Sequence, residues 1–592
     1  MVIKNPSFLC GEKIALFKPV RNLLFPVLAG ILALSYGCST PNPTPEYISA
    51  IEQNRPLDSD ALYKKQLEEK GLTQELYLME KARITQIQGD FDSSRASFDK
   101  EVEILRQREL DDDTLPGVEI NTGSVLVNDN MLPYKARLFE VEMLYLMQSF
   151  NYLSKGDLEG ATVEIRNADY LLNEAEKARE SENFKEECFR SSEAGIQKKL
   201  FENQKALQQN SAPEQPDDEK KVETPPEKPA TENKTATPEE TPAEKPATEN
   251  KTATPEATPE ETPAQKKADE QKRAEYEQTG MTEYEKNFAG MEEALAQSKS
   301  SVLNPYVLYI SGIIHEMNGE FDDAYISYKK GLELMPSNPY LQRDVVRLAR
   351  KLNKTNDFDN LKSSYPELWK QFSAKTSSDG KDGRLIVLYE YGWAPKKAEV
   401  FISLGAIAFA YPVYKFKWSP ATPMQVSSEL GEIGPTSPIC YMNAIALRAL
   451  KEEAKWRIIR QAARATVKGA VFAAGTTMTA ASSNSGVQLA GVGIMVASAI
   501  YNNVSENADL RCFMTLPENV QILSSSIPAG EHKISFVPQG TQLRVEKTVP
   551  VIAGKTTIVR VIQVGPRLIY QRLWPAPGPA DISNKSQEGN NP

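Results

Sequence analysis

PYVLYISGIIHEMNGEFDDAYISYKKGLELMPSN, residues 305–338, decides the architecture. Each half carries apolar residues at helical spacing, and Asn318-Gly319-Glu320 lies between them. A Gly at such a joint ends one helix in the left-handed conformation, while the acid after it opens the next near that helix's positive end. The segment therefore predicts two helices folded back as a hairpin. Its joint, Gly319-Glu320-Phe321-Asp322-Asp323-Ala324, recurs as Gly89-Asp90-Phe91-Asp92-Ser93-Ser94 and as Gly156-Asp157-Leu158-Glu159-Gly160-Ala161, which makes the hairpin a repeated unit. A weaker echo, Asn356-Asp357-Phe358-Asp359, puts Asn where a positive φ is tolerated.

Counted from Pro305, residues Leu308, Gly312, Ala324, Tyr328, Gly331 and Pro336 fall on signature positions of the 34-residue tetratricopeptide repeat, which this copy resembles. The first copy keeps Leu78, Ala82, Ser94 and Phe98, and the second keeps Tyr145, Ala161, Ile165 and Ala168. Small residues at these places let paired helices approach. The resemblance implies stacked hairpins with a concave partner-binding face and no demand for catalysis. The alternative is that the hairpins only pack against the rest of the chain.

Composition narrows the function further. The 592 residues carry a net charge of −11, which disfavours a nucleic-acid binder that needs clustered Lys and Arg. With two His (His315 and His532) and five Cys without a CxxC pair, the chain has little raw material for zinc sites or His-based triads, so neither a metal nor a cofactor is expected. No nucleophile elbow, phosphate loop, HExxH helix or catalytic carboxylate pair stands in its required context, and an enzyme is not expected. Asp111 to Asp113 read as a solvated charge run, and His532 as a strand residue leaving a turn.

At the N-terminus, Lys4, Lys13, Lys18 and Arg21 precede an uncharged run from Leu23 to Leu34, the anatomy of a signal peptide and too short for a stable span. Leu34-Ser35-Tyr36-Gly37-Cys38 resembles a bacterial lipobox, with Ser35 and Tyr36 departing from the usual pattern. The resemblance implies cleavage before Cys38, lipidation of its thiol and, with Ser39 next, sorting to the outer membrane. An uncleaved anchor or an ordinary secreted chain is the alternative. Loss of residues 1–37 would leave a net charge of −14. Pro41 to Pro56 read as a tether.

Between the second and third copies, Lys228–Glu239 repeats identically at Lys245–Glu256. Pro, Thr, Glu, Lys and Ala without large apolar residues cannot bury a core, so residues 206–270 are expected to be disordered, as a spacer or as a duplication tolerated in a loop. After Trp369 the period changes. Leu385–Tyr389, Val400–Leu404, Ala408–Tyr414, Val520–Leu523, His532–Val537, Leu543–Val549 and Thr556–Val564 read as strands of a small β-sandwich, with corners at Pro528-Ala529-Gly530-Glu531 and Ala553-Gly554-Lys555. A helical section starts near Met442, and Gly469 to Ser505 contains no Asp, Glu, Lys or Arg. Its arms, Val467–Ala481 and Gly486–Ile500, are 15 residues each and too short for two spans. They read as helices packed on the sheet, or as an interfacial, oligomer-forming hairpin. Cys440 and Cys512 flank this insertion and form the plausible disulfide, leaving Cys188 free; two buried thiols are equally consistent. Asp509 and Arg511 read as a structural charge pair.

Phe150-Asn151-Tyr152-Leu153 through Gly156-Asp157, Ala161-Thr162-Val163-Glu164-Ile165-Arg166, Gly392-Trp393-Ala394-Pro395-Lys396, and Ala508-Asp509-Leu510-Arg511 leading to Leu516-Pro517 are together similar to a family of uncharacterised bacterial tetratricopeptide-containing lipoproteins. The likeness implies an exported, membrane-anchored lipoprotein of the outer membrane facing the periplasm, with a role in envelope or cell-wall biogenesis. The expected fold is α+β and multidomain: signal peptide 1–37, tether 38–60, helical repeats 61–205 and 271–372 around the disordered 206–270, a β-rich domain 382–572 with its helical insertion at about 442–505, and a disordered tail 573–592. Its expected function is a scaffold that binds envelope proteins through the repeats. The alternative is an oligomeric membrane-associated or secretion-related subunit that uses residues 469–505.

Overall fold

In the computed structural model four turns between paired helices close in the same way, as does the end of the Thr44–Glu52 helix at Asn54. The model describes residues 43–56, 58–68, 73–111, 134–180, 263–372, 381–404, 407–481, 492, 495 and 506–577. Asp90 N–H donates to the Thr85 carbonyl and Gly89 N–H to Gln86; Asp157 and Gly156 repeat this on Tyr152 and Leu153, Glu320 and Gly319 on His315 and Glu316, and Lys354 and Asn353 on Ala349 and Arg350. This paired bonding satisfies carbonyls that a helix end otherwise leaves open, and it requires a left-handed residue. Gly89, Gly156 and Gly319 supply it at φ of 84°, 79° and 80°, and Asn353 at 54°. The fourth turn is thus at Asn353; Asn356, expected there, lies inside the next helix.

These turns generate antiparallel helix pairs: α3 (Gln74–Gln88) with α4 (Phe91–Asp111), α5 (Leu138–Leu153) with α6 (Leu158–Glu180), α9 (Pro305–Met317) with α10 (Phe321–Leu334), and α11 (Pro339–Lys351) with α12 (Thr355–Ser364). The short α13 (Pro366–Gln371) follows. Asn304 and Asn338 open α9 and α11 by accepting the N–H groups of Tyr306 and of Tyr340 and Leu341, with Pro in the first turn where no N–H is needed. The first helix of each of the first three pairs is buried nearly all round, whereas the second buries one stripe.

Two expected disordered or repeat stretches fold otherwise. The tether ends early: α1 (Thr44–Glu52) and α2 (Ser59–Glu68) are ordered, because Tyr47 and Ile51 share a face and bury against Tyr63, Tyr77, Ile562 and Val564. Helix α7 (Pro263–Lys286) begins inside the expected 206–270 insertion. With α8 (Glu292–Ala296) it packs on α14 (Met442–Ala481), not in the hairpin row. Residues 1–42 with Cys38, the 181–262 segment with Cys188, and 578–592 lie outside the described residues.

The C-terminal part is sheet. A five-stranded sheet has the order β11 (Arg567–Trp574), β10 (Thr556–Val564), β1 (Asp382–Tyr391), β7 (Asn519–Pro528), β6 (Ser437–Tyr441). A four-stranded sheet has the order β5 (Gly431–Pro435), β4 (Met424–Ser428), β8 (Gly530–Pro538), β9 (Val545–Val551). Strand alternation sorts β1 between two cores: Leu385, Val387 and Tyr389 meet Met424, Val426, Ile534 and Phe536 of the second sheet, while Ile386 and Leu388 join the helical core. The result is helices, sheet and sheet in three layers. The expected corners at 528–531 and 553–555 are not hairpins: β7 passes into β8 and β9 into β10 from one sheet to the other, and β1 pairs with β10 in parallel, Leu388 opposite Arg560.

The remaining strands, β2 (Lys397–Leu404) and β3 (Ile407–Tyr414), form a hairpin of their own. Tyr411 packs edge-on to Tyr284 of α7, and Gln461 of α14 donates to the Ala410 carbonyl at 2.5 Å. The helical section expected from Met442 runs without a break through the expected first arm to Ala481, 40 residues in all. Its expected second arm lies almost entirely outside the described residues, and no described helix is long and apolar enough to cross a membrane.

Candidate functional site

Where the hairpins meet the sheet, side chains of α3 and α5 hold an irregular stretch of chain by its backbone. Residues 508–516 run between α14 and β7 without helix or strand. Glu80 of α3 accepts the N–H of Met514 at 2.6 Å, the N–H of Thr515 at 3.3 Å and the Thr515 hydroxyl at 2.5 Å. Glu140 of α5 accepts Phe513 N–H at 3.1 Å and Tyr134 OH at 2.7 Å. Carbonyls are gripped too: Arg83 Nε donates to Thr515 at 3.3 Å and Lys397 Nζ to Arg511 at 2.6 Å. Glu399 takes the N–H of Ala508 at 2.6 Å. Such bonding reads main chain and satisfies polar groups that burial would otherwise leave open.

Beneath this stretch lies a fully buried polar knot. Arg83 of α3 pairs with Glu390 of β1, whose other oxygen accepts Tyr306 OH of α9 at 3.1 Å and stands 3.8 Å from Arg560 of β10. Arg560 also donates to Gln86 at 2.9 Å, and Gln86 donates to Asn151 of α5 at 2.7 Å. Burial alone would raise the Glu390 carboxyl, yet the two guanidiniums pull it below the ordinary carboxylate value. Glu80 has no such counter-charge, and burial pushes it up to about 8 despite its three donors. Lys397 is buried likewise and is lowered to about 8.

A second knot ties the third and fourth pairs to the sheet. Glu316 of α9 accepts Arg347 of α11 at 2.6 Å and Arg384 of β1 at 2.8 Å, while Arg384 reaches Asp344 at 2.6 Å. Although burial opposes it, these two arginines bring Glu316 down to about 2.

The expected repeat positions fall at the helix–helix contacts. Leu308, Phe98, Ala161, Ala168, Ala324 and Tyr328 are buried, and a Cβ on Gly312 would stand 2.4 Å from the Tyr328 ring. Pro336 is exposed in the loop after α10, where its carbonyl accepts Gln342 at 2.7 Å. Cys440 and Cys512 are both free and buried. The expected disulfide is therefore corrected: Cys440 belongs to the main core with Met442, whereas Cys512 packs with Ile48 and Met514 in another cluster. Asp509 and Arg511 form a two-pronged ion pair at 2.8 and 3.0 Å. His532 bonds Glu429 and the Pro528 carbonyl, each at 2.8 Å.

One arrangement superficially resembles catalytic machinery. Ser311, Asp169 and His315 are linked, but the serine hydroxyl donates to Asp169 rather than to the imidazole, so no base stands on the nucleophile. The residues that sequence reading missed, Glu80, Arg83, Glu390 and Arg560, share one signal. Each is a charge set directly beside apolar residues, as in Leu78-Met79-Glu80, Ala82-Arg83-Ile84, Tyr389-Glu390-Tyr391 and Val559-Arg560-Val561. No protein-family model, curated protein or solved structure matches the chain.

Proposed function

We propose that the chain is a lipid-anchored scaffold of the bacterial cell envelope, tethered through Cys38 to the outer membrane and recruiting an envelope protein through tetratricopeptide-like hairpins. Four equivalent Schellman closures and the close Gly312–Tyr328 approach support the repeat assignment. The observation that carries the reading is the division of labour between helices. The inner helices α3, α5 and α9 spend their polar side chains on residues 508–516 and on the sheet, which leaves the outer helices to meet a partner. There, Val163 and Tyr170 of α6 and Ile326 of α10 are 49%, 69% and 51% exposed, on helices bridged by Lys330 and Asn173 at 3.0 Å. Tyr is a favoured anchor at protein interfaces. On this reading the partner surface lies on the second helices of the pairs, because the first helices contact the chain itself.

A photo-cross-linking residue placed at Tyr170, and separately at exposed Leu430 on the far sheet, tests this in intact cells. The scaffold reading expects one envelope protein captured from position 170 and not from 430, with the capture lost in Cys38→Ala. Capture from neither position defeats it, and self-cross-links through Gly469–Ser505 would favour the oligomeric membrane subunit.

A further inference from the structure

The turn between α9 and α10 gathers metal-binding chemistry that the low His content conceals. His315 ends α9, Glu320 follows the left-handed Gly319, and Asp323 stands in the first turn of α10. The Schellman closure, in which Glu320 N–H bonds the His315 carbonyl at 2.8 Å, folds these three side chains onto one spot. One ligand atom from each lies within 4.8 Å of the others. The imidazole, 5% exposed, is fixed from both sides: Nδ1 is 2.6 Å from Glu320 Oε2 and Nε2 is 2.9 Å from Asp169 Oδ2 of α6.

Asp169 is itself held. Ser311 Oγ donates to its two oxygens at 2.9 and 2.8 Å. A carboxylate that orients the far nitrogen of an imidazole, and is hydrogen-bonded in turn, is the outer shell that metal-ligating histidines regularly possess. It leaves Nδ1 on Glu320, and the exposed Asp323, which forms no hydrogen bond or ion pair among the described residues, offers a third ligand atom within 4.8 Å. The charge count agrees. Among the described residues, the carboxylates of Asp169, Glu320 and Asp323 have one cationic partner, Arg166, which is 2.6 Å from Glu320 and 60% exposed. Once Nδ1 has given up the proton it shares with Glu320, the cluster carries a net charge of −2, matched to a divalent ion.

We propose that His315 Nδ1, Glu320 and Asp323 bind a zinc-class divalent cation, with Asp169 and Ser311 orienting the imidazole. One nitrogen and two carboxylates suit Zn²⁺ or Mn²⁺ better than Ca²⁺, which prefers an all-oxygen set. Binding releases the Nδ1 proton to solvent, and the cation takes its place between Nδ1 and Glu320. The position gives the ion a task. Asp169 belongs to the second hairpin and the ligands to the third, and residues 206–270 separate the two hairpins in sequence. Acting through the His315–Asp169 bond, a bound cation would strengthen the tie between them where the chain between them is longest.

The test is calorimetric titration of zinc chloride into the chelator-treated mature chain, beside Asp323→Asn, His315→Ala and Asp169→Asn, each first shown folded by circular dichroism. Wild type is expected to take up one equivalent that Asp323→Asn and His315→Ala lose. Asp169→Asn should bind about 10–100-fold more weakly, as loss of an orienting partner does. Manganese should compete and calcium should not. No heat with wild type overturns the proposal, as does an unchanged isotherm for either ligand variant. Asp323 is exposed, so its variant remains informative if His315→Ala fails to fold.

Discussion

Arg83 and Glu390 form an ion pair in which neither side chain sees solvent: 1% of the guanidinium residue and none of the carboxylate residue is exposed. The pair joins α3 to the central strand, so it couples the helical layer to the sheet. Arg560 is the third charge, and two of its nitrogens, Nε and Nη2, have no hydrogen-bond partner among the described residues. The knot therefore holds more positive charge than its one carboxylate balances. Glu390→Gln leaves two buried guanidiniums without a counter-charge and is expected to cost about 3–5 kcal/mol. Arg560→Met removes the surplus charge and keeps the stem's volume, so it should stay within about 1 kcal/mol of wild type. Urea unfolding of the two variants decides. An Arg560→Met loss as large as that of Glu390→Gln would show that the charges act as an inseparable triad.

Glu142 is the counter-example. It is fully buried on α5, and neither carboxylate oxygen has a partner among the described residues. Burial pushes its carboxyl well above the ordinary value, so the folded chain keeps a proton that the unfolded chain releases. The stability associated with that proton is fully present below about pH 4.5 and drains away as pH rises through the folded-state value. Glu142→Met replaces an unpaired polar group by an apolar one and should stabilise by about 1–3 kcal/mol at pH 7. The gain should shrink toward pH 4.5. Thermal unfolding at both pH values checks it, and a pH-independent difference would contradict the assignment.

How much of this was legible depends on whether a feature is local. The turns at Gly89, Gly156 and Gly319 could be read because a left-handed residue and an acid behind it are set by neighbouring backbone alone. The fourth was misplaced for the same reason: Asn356-Asp357-Phe358-Asp359 copies the letters of the motif, while the left-handed backbone falls on Asn353. Strands β1 and β10 were visible as apolar runs, but their parallel pairing joins Leu388 to Arg560 across the sequence, and no local pattern records that. Helix α1 hid among prolines, since its worth lies in Tyr47 reaching Tyr63. The candidate site was least legible of all. Glu80 and Glu390 look like solvated charges until a partner from another element arrives.

The two glycines of the third hairpin should fail differently. Gly319 needs its left-handed φ, with nothing within 4 Å of a Cβ placed there, so Gly319→Ala should cost about 1–2 kcal/mol and Gly319→Asn less. Gly312 is helical, and an added methyl would overlap the buried Tyr328 ring. Gly312→Ala should cost about 1–3 kcal/mol by overpacking, and Tyr328→Leu should relieve part of that cost. A double-mutant cycle that shows no coupling between 312 and 328 would refute the steric account.

Cys440 and Cys512 should behave as two sealed thiols. Burial raises both above the ordinary thiol value, which lowers the reactive thiolate fraction at neutral pH. Native protein should resist maleimide at these two positions, and denatured, unreduced protein should label at both. Labelling that requires reductant would restore the disulfide.

The grip on residues 508–516 makes the strongest mechanical claim, because three donors converge on Glu80. Glu80→Ala deprives the amides of Met514 and Thr515 and the Thr515 hydroxyl of their acceptor in a buried place, at about 1–3 kcal/mol for each group left unsatisfied. Hydrogen exchange localises the effect: the Met514 and Thr515 amides should exchange slowly in wild type and far faster in the variant, ahead of the amides of β1. Acidity gives an independent reading. With its folded-state value raised to about 8, Glu80 contributes stability that is complete below about pH 4.5 and lost as pH rises to about 8. Glu80→Gln cannot titrate, so the wild-type advantage over it should narrow between pH 5 and pH 8. Unchanged exchange at Met514 in Glu80→Ala would mean that α3 only lies against this stretch and does not hold it.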